Sequence, residues 1–294
     1  MSKLELPAIR FHEDSALFQE SVRFTAAETA FAARLIEKDY FCTVLLAYLA
    51  VAAGDDPVFK GGTCLAKVHA EMYRLSEDLD FTIPTSVDAS RSERRKLIEG
   101  VRGALAGLQK RLPSFRIVKP LKGANNSTQY IAAVGYASLL GRERETINIE
   151  VSLREPLLMP AVEGSARTLL LDPVTDKPLV PPVSVRCMAK TETLAEKFRA
   201  ALSRREAAVR DFYDIDHAVR KGGLRPEAVE LVKQVKQKLA VPGNEPADVS
   251  AQRLAALRKQ VESQLRPVLR EQDFAEFDLE RAFKTVVEMA KAAA

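Results

Sequence analysis

The sequence predicts an α+β domain followed by a second domain built only of helices. Strand-like segments, in which polar and apolar residues alternate, occur only ahead of the prolines Pro178, Pro181 and Pro182. Beyond those prolines, apolar residues recur at helical spacing to the end of the chain. Because a proline cluster interrupts both helices and strands, we expect the two domains to cover residues 1–182 and 183–294.

The composition is that of an ordinary globular protein, with 47% hydrophobic and 29% charged residues. The net charge of +4 permits a polyanionic partner without requiring one. Tryptophan is absent and aromatic residues make up only 6% of the chain. An aromatic stacking platform for single-stranded nucleic acid is therefore not expected.

The cysteines and the hydropathy of the chain predict the cellular compartment of the protein. The three cysteines, Cys42, Cys64 and Cys187, lie far apart and show no CxxC spacing, so neither a disulfide framework nor a zinc site is expected. The first residues lack the apolar segment of a signal peptide. The longest apolar run, residues 41–53, is too short to span a membrane. The sequence thus predicts a cytoplasmic protein that has no contact with a membrane.

The first domain is predicted to begin with helices between about residues 16 and 54. The second of these helices, 38–54, is apolar on nearly all sides and should be buried. A short strand with a glycine turn at 58–63 precedes a predicted helix at 64–74. A strand follows at 78–83, where Asp78, Asp80 and Thr82 alternate with apolar residues.

An amphipathic helix with a basic outer surface is predicted at 90–112. Strands are then expected at 114–120, 128–138 and 145–153, and Glu150 lies on the polar face of the last one. The second domain should contain five helices, at 188–205, 210–221, 226–239, 250–265 and 279–292.

The segment 59–81 carries the clearest chemical signal. Two glycines at a turn let the backbone approach a ligand, and a following helix presents unpaired amides to phosphate oxygens. Asp78 and Asp80 point to the same side of their strand, with Cα atoms about 7 Å apart. Carboxylates at this spacing favour a cation between them, and Mg²⁺ prefers a few carboxylates together with substrate phosphates. If the strand of Glu150 lies beside them, three carboxylates converge as two-metal phosphoryl chemistry requires.

Each of these features also has a structural interpretation. A Gly-Gly pair is often only a turn, an Asp-x-Asp strand is often an exposed edge, and Glu150 alone could be a solvated strand residue. The order and spacing of the three features leave both interpretations open.

The run from Lys60 to Phe81 resembles the first motif of the AbiEii/AbiGii nucleotidyltransferase toxins, which share the DNA polymerase β-like fold. The positions that match this motif are Lys60, Gly61, Gly62, Thr63, Arg74, Ser76, Asp78 and Asp80. Glu150 ends a weaker second motif. A third motif contains Lys197 and Arg204, and a fourth contains Arg210, Asp211 and Asp214. Gly-Gly-Thr stands where Gly-Ser is more widespread, which leaves the role of Thr63 open.

The resemblance implies a polymerase β-like nucleotidyltransferase domain with a mixed sheet, followed by a helical C-terminal domain. It implies transfer of a nucleoside monophosphate from an NTP, with pyrophosphate as leaving group. The implied metal ligands, for two Mg²⁺ ions, are Asp78, Asp80 and Glu150. The implied catalytic residues are these three carboxylates together with Lys197 and Asp211. The implied nucleotide-binding residues are Lys60, Gly61, Gly62, Thr63, Arg74, Ser76, Lys197 and Arg204.

Several of these residues keep an alternative role. Lys190, Lys197 and Arg204 recur every seven residues and form one stripe on a helix, which could simply be a solvated basic face. Asp211 could orient Lys197 or an attacking hydroxyl, or could form an ion pair with a neighbouring arginine. Arg74 could contact a phosphate or keep the nearby aspartates ionised. The three histidines are scattered and are assigned no chemistry.

The resemblance also implies a toxin of a toxin–antitoxin or phage-defence pair that blocks translation. The favoured acceptor is the 3′ end of tRNA, and the expected protein partner is a cognate antitoxin, with a small winged-helix protein as candidate. One alternative is a nucleotidyltransferase or kinase that acts on a protein or a small molecule. Another is an inactive module that binds RNA or protein, although the presence of Asp78, Asp80 and Glu150 argues against it.

Overall fold

The computed structural model describes residues 9–141 and 143–294, which form two compact units. The first unit comprises the described residues up to Leu157 together with Ala161–Met188. The second comprises Leu158–Pro160 together with Ala189–Ala294. The division lies six residues beyond the expected boundary at 182, because residues 183–187 form a strand in the sheet of the first unit.

The first unit is built on one mixed sheet, as predicted. Its seven strands are β1 (Val58–Lys60), β2 (Leu79–Thr82), β3 (Phe115–Ala124), β4 (Gln129–Ala137), β5 (Arg144–Ser152), β6 (Val162–Ala166) and β7 (Val183–Cys187). They follow the order β3-β4-β5-β2-β1-β7-β6. The pairs β2–β5 and β1–β7 are parallel and the other neighbours are antiparallel. The order places β2 and β1 in the middle of the sheet.

Five helices belong to the first unit: α1 (Ser15–Thr29), α2 (Ala33–Ala52), α3 (Gly61–Cys64), α4 (Arg91–Leu97) and α5 (Glu99–Arg111). Every residue of α2 from Leu35 to Leu49 is buried, which confirms the prediction made from its apolar character. The ring of Phe41 stacks on that of Tyr136 in β4, with centroids 4.1 Å apart, and this contact joins α2 to the sheet.

The helix after β1 is shorter than the predicted span of 64–74. α3 continues into a π-helical turn, Leu65–His69, and Met72 has a left-handed backbone with φ of 54°. The π turn coincides with the point at which Lys67 enters the core, where its ammonium donates to Asp39 and to Thr43 Oγ1. Helical periodicity in the sequence does not indicate this tertiary contact. The early end of the helix could therefore not be predicted from the periodicity.

The ten-residue strand β3 lies at one edge of the sheet. Its pairing with β4 shifts register twice, between Ile117 and Lys119 and between Lys119 and Lys122. Its exposed residues include Lys119, Pro120 and Lys122. The strand is therefore irregular and charged along the edge.

The second unit contains only helices among its described elements. They are α6 (Lys190–Ser203), α7 (Val209–Arg220), α8 (Val229–Leu239), α9 (Ala251–Gln260), α10 (Glu271–Glu276) and α11 (Leu279–Ala293). Five of them correspond to the predicted helices, and the short α10 was not predicted. The carboxylate of Glu192 accepts hydrogen bonds from the amides of Leu158 and Met159, at 3.0 and 2.9 Å, and so attaches residues 158–160 to this unit.

Over the residues described, none of the helices combines the length and the apolar character that crossing a membrane requires.

Candidate active site

The strands β2 and β5 bring two of the predicted carboxylates side by side. They are parallel neighbours, with Leu79 opposite Ile149 and Asp80 opposite Glu150. The strand of Glu150 thus lies beside that of the aspartates, which was the condition for the carboxylates to converge. Since adjacent strands lie about 4.8 Å apart, the Asp80 and Glu150 side chains leave the sheet as direct neighbours on one face.

Asp78 immediately precedes β2 and is held from two directions. Its Oδ1 accepts from the backbone amide of Asn148, at 3.2 Å, and from the Asn148 side chain, at 3.0 Å. Its backbone carbonyl accepts a hydrogen bond from the hydroxyl of Thr63. This role of Asn148 was not predicted, although its alternation with Ile147 and Ile149 places Asn148 on the same polar face as Glu150.

The glycine turn contacts the carboxylate of Asp80. Gly61 has a φ of +78°, a conformation that residues with a side chain rarely adopt. A Cβ atom at this position would lie 2.3 Å from Asp80 Oδ2. Glycine is therefore required twice here, for the backbone conformation and for the approach of the turn to the carboxylate. Lys60, the residue before it, pairs with Asp80 in the β1–β2 register.

Three of the residues expected to bind the nucleotide, Gly62, Thr63 and Arg74, are buried. Thr63 is 1% exposed and donates its hydroxyl to Asp78, so it positions the aspartate and has no free surface for a phosphate. Arg74 is 2% exposed, and its guanidinium donates to the carbonyl of Leu75. A contact between Arg74 and a phosphate stays a prediction. Ser76, by contrast, is half-buried just ahead of Asp78.

The donor set of Asp78, Asp80 and Glu150 suits Mg²⁺, since all three side chains offer hard carboxylate oxygens and are partly exposed. The absence of a side chain at Gly61 lets the backbone of the turn lie directly against the Asp80 carboxylate. These residues fit a divalent cation bound together with a triphosphate.

In the second unit, Lys197 lies between two carboxylates. Its Nζ is 2.8 Å from Asp211 Oδ1 and 2.8 Å from Asp214 Oδ2, and Arg204 Nη1 is 3.2 Å from Asp211 Oδ2. The Lys197 side chain is 11% exposed and that of Asp214 is fully buried. The structure thus brings Lys197, Arg204 and Asp211 together, as the third and fourth motifs imply. Lys190, on the same helix, is exposed.

Replacing Lys197 by methionine should destabilise the protein by about 2 to 3 kcal/mol, because two largely buried carboxylates lose their cation. Lys190→Met should change stability by less than about 0.5 kcal/mol, since Lys190 is exposed. Urea unfolding of both variants measures the difference. Equal unfolding midpoints would contradict the assignment of Lys197 to a buried ion-pair cluster.

The mixed sheet with its paired carboxylates defines the class, a nucleotidyltransferase fold. Among solved structures, MenT4, a nucleotidyltransferase toxin from Mycobacterium tuberculosis H37Rv, superimposes with a TM-score of 0.60 at 23% identity, over 94% of this chain and 93% of that one. JHP933 from Helicobacter pylori superimposes with a TM-score of 0.51 at 17% identity, over 90% and 93% of the two chains. At these identities the likeness concerns the fold.

The model of the family described as nucleotidyl transferase AbiEii toxin, type IV toxin–antitoxin system, matches residues 44–289. The chain therefore belongs to the AbiEii family and is a nucleotidyl transferase toxin of a type IV toxin–antitoxin system. No curated protein matches the chain.

Proposed function

We propose that this toxin transfers a nucleoside monophosphate from an NTP to a hydroxyl of RNA, with the 3′ end of tRNA as acceptor. The observation that carries the transfer chemistry is the parallel register of β2 and β5. It sets Asp80 opposite Glu150, next to an Asp78 that Asn148 and Thr63 hold in place.

In this proposal Asp78 and Asp80 hold two Mg²⁺ ions, and Glu150 is a further ligand or the base that accepts the proton of the attacking hydroxyl. Mg²⁺ bound by these residues would supply positive charge to the phosphates of the nucleotide. Gly61 and Gly62 let the triphosphate approach the backbone next to Asp80. Catalysis of this kind rests on positioning and electrostatics, and it needs no covalent nucleophile.

The ion-pair cluster of the second unit supports a division of roles among its cations. Lys197 is enclosed by Asp211 and Asp214, which suits a residue that fixes the position of its neighbours. Arg204 has 51% of its side chain exposed and is anchored to Asp211. We therefore assign the contact with a phosphate to Arg204 and a positioning role to Lys197 and Asp211.

A basic cleft in the first unit supports an RNA acceptor. It has a volume of about 670 Å³ and lies between α4, α5 and the end of β3. Its charged lining comprises Arg91, Arg95, Glu99, Arg102 and Lys122, four cations and one acid. Cations in this arrangement suit a phosphate backbone, whose recognition depends on charge and shape.

Incubation of the purified toxin with Mg²⁺, one labelled NTP at a time and total RNA should label tRNA most strongly, from one preferred NTP. Removal of the terminal CCA should eliminate the labelling if the 3′ hydroxyl is the acceptor. An increase in salt from about 50 to 200 mM should reduce labelling severalfold or more, because counterions are released when RNA binds.

The double variant Arg91→Gln/Arg95→Gln should raise the KM for tRNA about tenfold and leave the KM for NTP unchanged, because it removes two cations from the cleft. Lys110→Gln/Arg111→Gln, exposed in α5 outside the cleft, is the matched control. Labelling of only a protein or a small molecule would refute the RNA acceptor while leaving nucleotidyl transfer intact. RNA binding without transfer of any nucleotide would indicate an inactive binding module.

A further inference from the structure

The fold gathers two cysteines and a histidine that are distant in the chain. Cys64 ends α3, His69 ends the π turn that follows it, and Cys187 ends β7. Their ligand atoms, two sulfurs and one ring nitrogen, all lie within 4.8 Å of one another. Both cysteines are fully buried and His69 is half-buried. These three residues, all within the described ranges 9–141 and 143–294, form a group that could ligate a metal ion.

The topology of the sheet creates this cluster. β1 and β7 are parallel neighbours, with Phe59 opposite Cys187, and α3 follows directly after β1. Cys64 and Cys187 are therefore brought together although they lie 123 positions apart in the sequence. Their lack of CxxC spacing predicted no zinc site, but parallel pairing requires no such spacing.

The imidazole of His69 is oriented by the backbone. Its Nε2 lies 2.8 Å from the carbonyl oxygen of Met188. Because a carbonyl can only accept, Nε2 must carry the proton, and in a neutral ring the lone pair is then on Nδ1. A backbone carbonyl bound to the second ring nitrogen is the usual support for a histidine that ligates a metal.

The two sulfurs are electrostatically unequal. A hydrogen bond from the Cys64 thiol, with a smaller contribution from His69, lowers the pKa of Cys187 to about 5. Burial raises the pKa of Cys64 well above its ordinary value. Thiolate is the form of cysteine that binds metals.

Space around the Cys187 sulfur is kept by a glycine. A Cβ atom on Gly164, in β6, would lie 2.7 Å from Cys187 Sγ and 2.6 Å from Val68 Cγ1. The Cys187 sulfur therefore packs directly against the backbone of β6, which a residue with a side chain at position 164 would prevent.

We propose that Cys64 Sγ, Cys187 Sγ and His69 Nδ1 form a binding site for a thiophilic divalent cation such as Zn²⁺. Two thiolates and one neutral imidazole cancel the charge of the ion, which suits a buried position. Binding displaces the protons that the two cysteine thiols carry, and these protons are released to solvent. The soft donors distinguish the site from the carboxylates of Asp78, Asp80 and Glu150, which suit Mg²⁺.

Such a site would fix the glycine turn of the active site to β7. Cys64 directly follows Thr63, whose hydroxyl holds Asp78. A metal at Cys64 therefore stabilises the turn that positions the carboxylates, without taking part in nucleotidyl transfer.

The test uses the full-length protein, reduced, freed of metal and supplied with excess Mg²⁺ to saturate the carboxylates. Addition of Co²⁺ should produce a sulfur-to-cobalt charge-transfer band that saturates at one equivalent, and Zn²⁺ should abolish the band. Cys64→Ser, Cys187→Ser and His69→Gln should each weaken Co²⁺ binding by more than about 100-fold, beyond the effect of a lost supporting hydrogen bond. Cys42→Ser, at a buried cysteine outside the cluster, should bind as the wild type does.

X-ray absorption of the zinc-loaded wild type provides a test that does not depend on the folding of any variant. We expect two sulfur ligands at about 2.3 Å and at least one nitrogen at about 2.0 Å. A shell of oxygen and nitrogen alone, the absence of a cobalt band, or equal losses in Cys42→Ser would overturn the proposal. None of these measurements depends on the proposed transfer activity.

Discussion

Asp80→Asn is expected to reduce nucleotidyl transfer by at least about a thousandfold, because a metal ligand contributes several kcal/mol of transition-state stabilisation and about 1.4 kcal/mol corresponds to tenfold. Asparagine has the same shape, and Asp80 is partly exposed, so no cavity opens and the fold should persist. Asp78→Asn should cause a loss of similar size. Single-turnover transfer from labelled NTP measures the rate, and thermal melting verifies the fold.

The exposed Asp88, in the turn that follows β2, provides the control. Asp88→Asn makes the same chemical change in the same unit and should retain full activity. If Asp80→Asn or Asp78→Asn melted normally and transferred nucleotide at the rate of Asp88→Asn, these carboxylates would not be the metal ligands.

A smaller effect is expected at Asn148, since it acts through Asp78. Asn148→Ala should lower transfer by about 10- to 100-fold, the range for groups that orient a metal ligand. Because the carboxylates remain, a higher concentration of Mg²⁺ should recover part of the activity. The absence of any recovery would indicate a structural role only.

Lys67→Met is expected to give the largest loss of stability in the first unit. The side chains of Lys67 and Asp39 are each 1% exposed, and their direct ion pair is supported by Thr43 and Thr168. Removal of the lysine leaves the Asp39 carboxylate buried without its cation, which costs about 3–5 kcal/mol. The melting temperature should fall by roughly 10 °C.

Two further variants isolate the cause. Lys110→Met removes an exposed lysine of α5 and should leave the melting temperature nearly unchanged. Lys67→Met combined with Asp39→Leu removes both charges and should recover much of the lost stability, as replacement of a buried pair by apolar residues often does. A double variant no more stable than Lys67→Met would show that packing, and not the unpaired charge, sets the cost.

Alternation of polar and apolar residues predicted where the candidate carboxylates lie, whereas their chemical role was implied by the resemblance to the toxin family. The alternation placed Asp80 and Glu150 on the polar faces of two strands, and both strands form as expected. Alternation does not indicate which strands are neighbours in the sheet, or in which register they pair. The pairing of Asp80 with Glu150 joins residues 70 apart and depends on the whole sheet.

The contacts that hold the site were not predictable for a related reason. Thr63 matches a phosphate-binding position in the motif, yet its hydroxyl reaches Asp78 once α3 packs against β2. The strand β7 alternates Val183, Val185 and Cys187 with exposed residues. It was nevertheless missed, because it is short and follows the prolines that suggested a domain boundary.

The irregular edge strand β3 has a consequence for self-association. A regular, uncharged strand at the edge of a sheet can pair with the same strand of another molecule. In β3, Pro120 offers no amide to such a neighbour, and the ammonium groups of Lys119 and Lys122 would repel their counterparts. The two register shifts also disturb the regular repeat that a continuous ladder requires. The charge, the proline and the register shifts of β3 therefore disfavour pairing between molecules at this edge of the sheet.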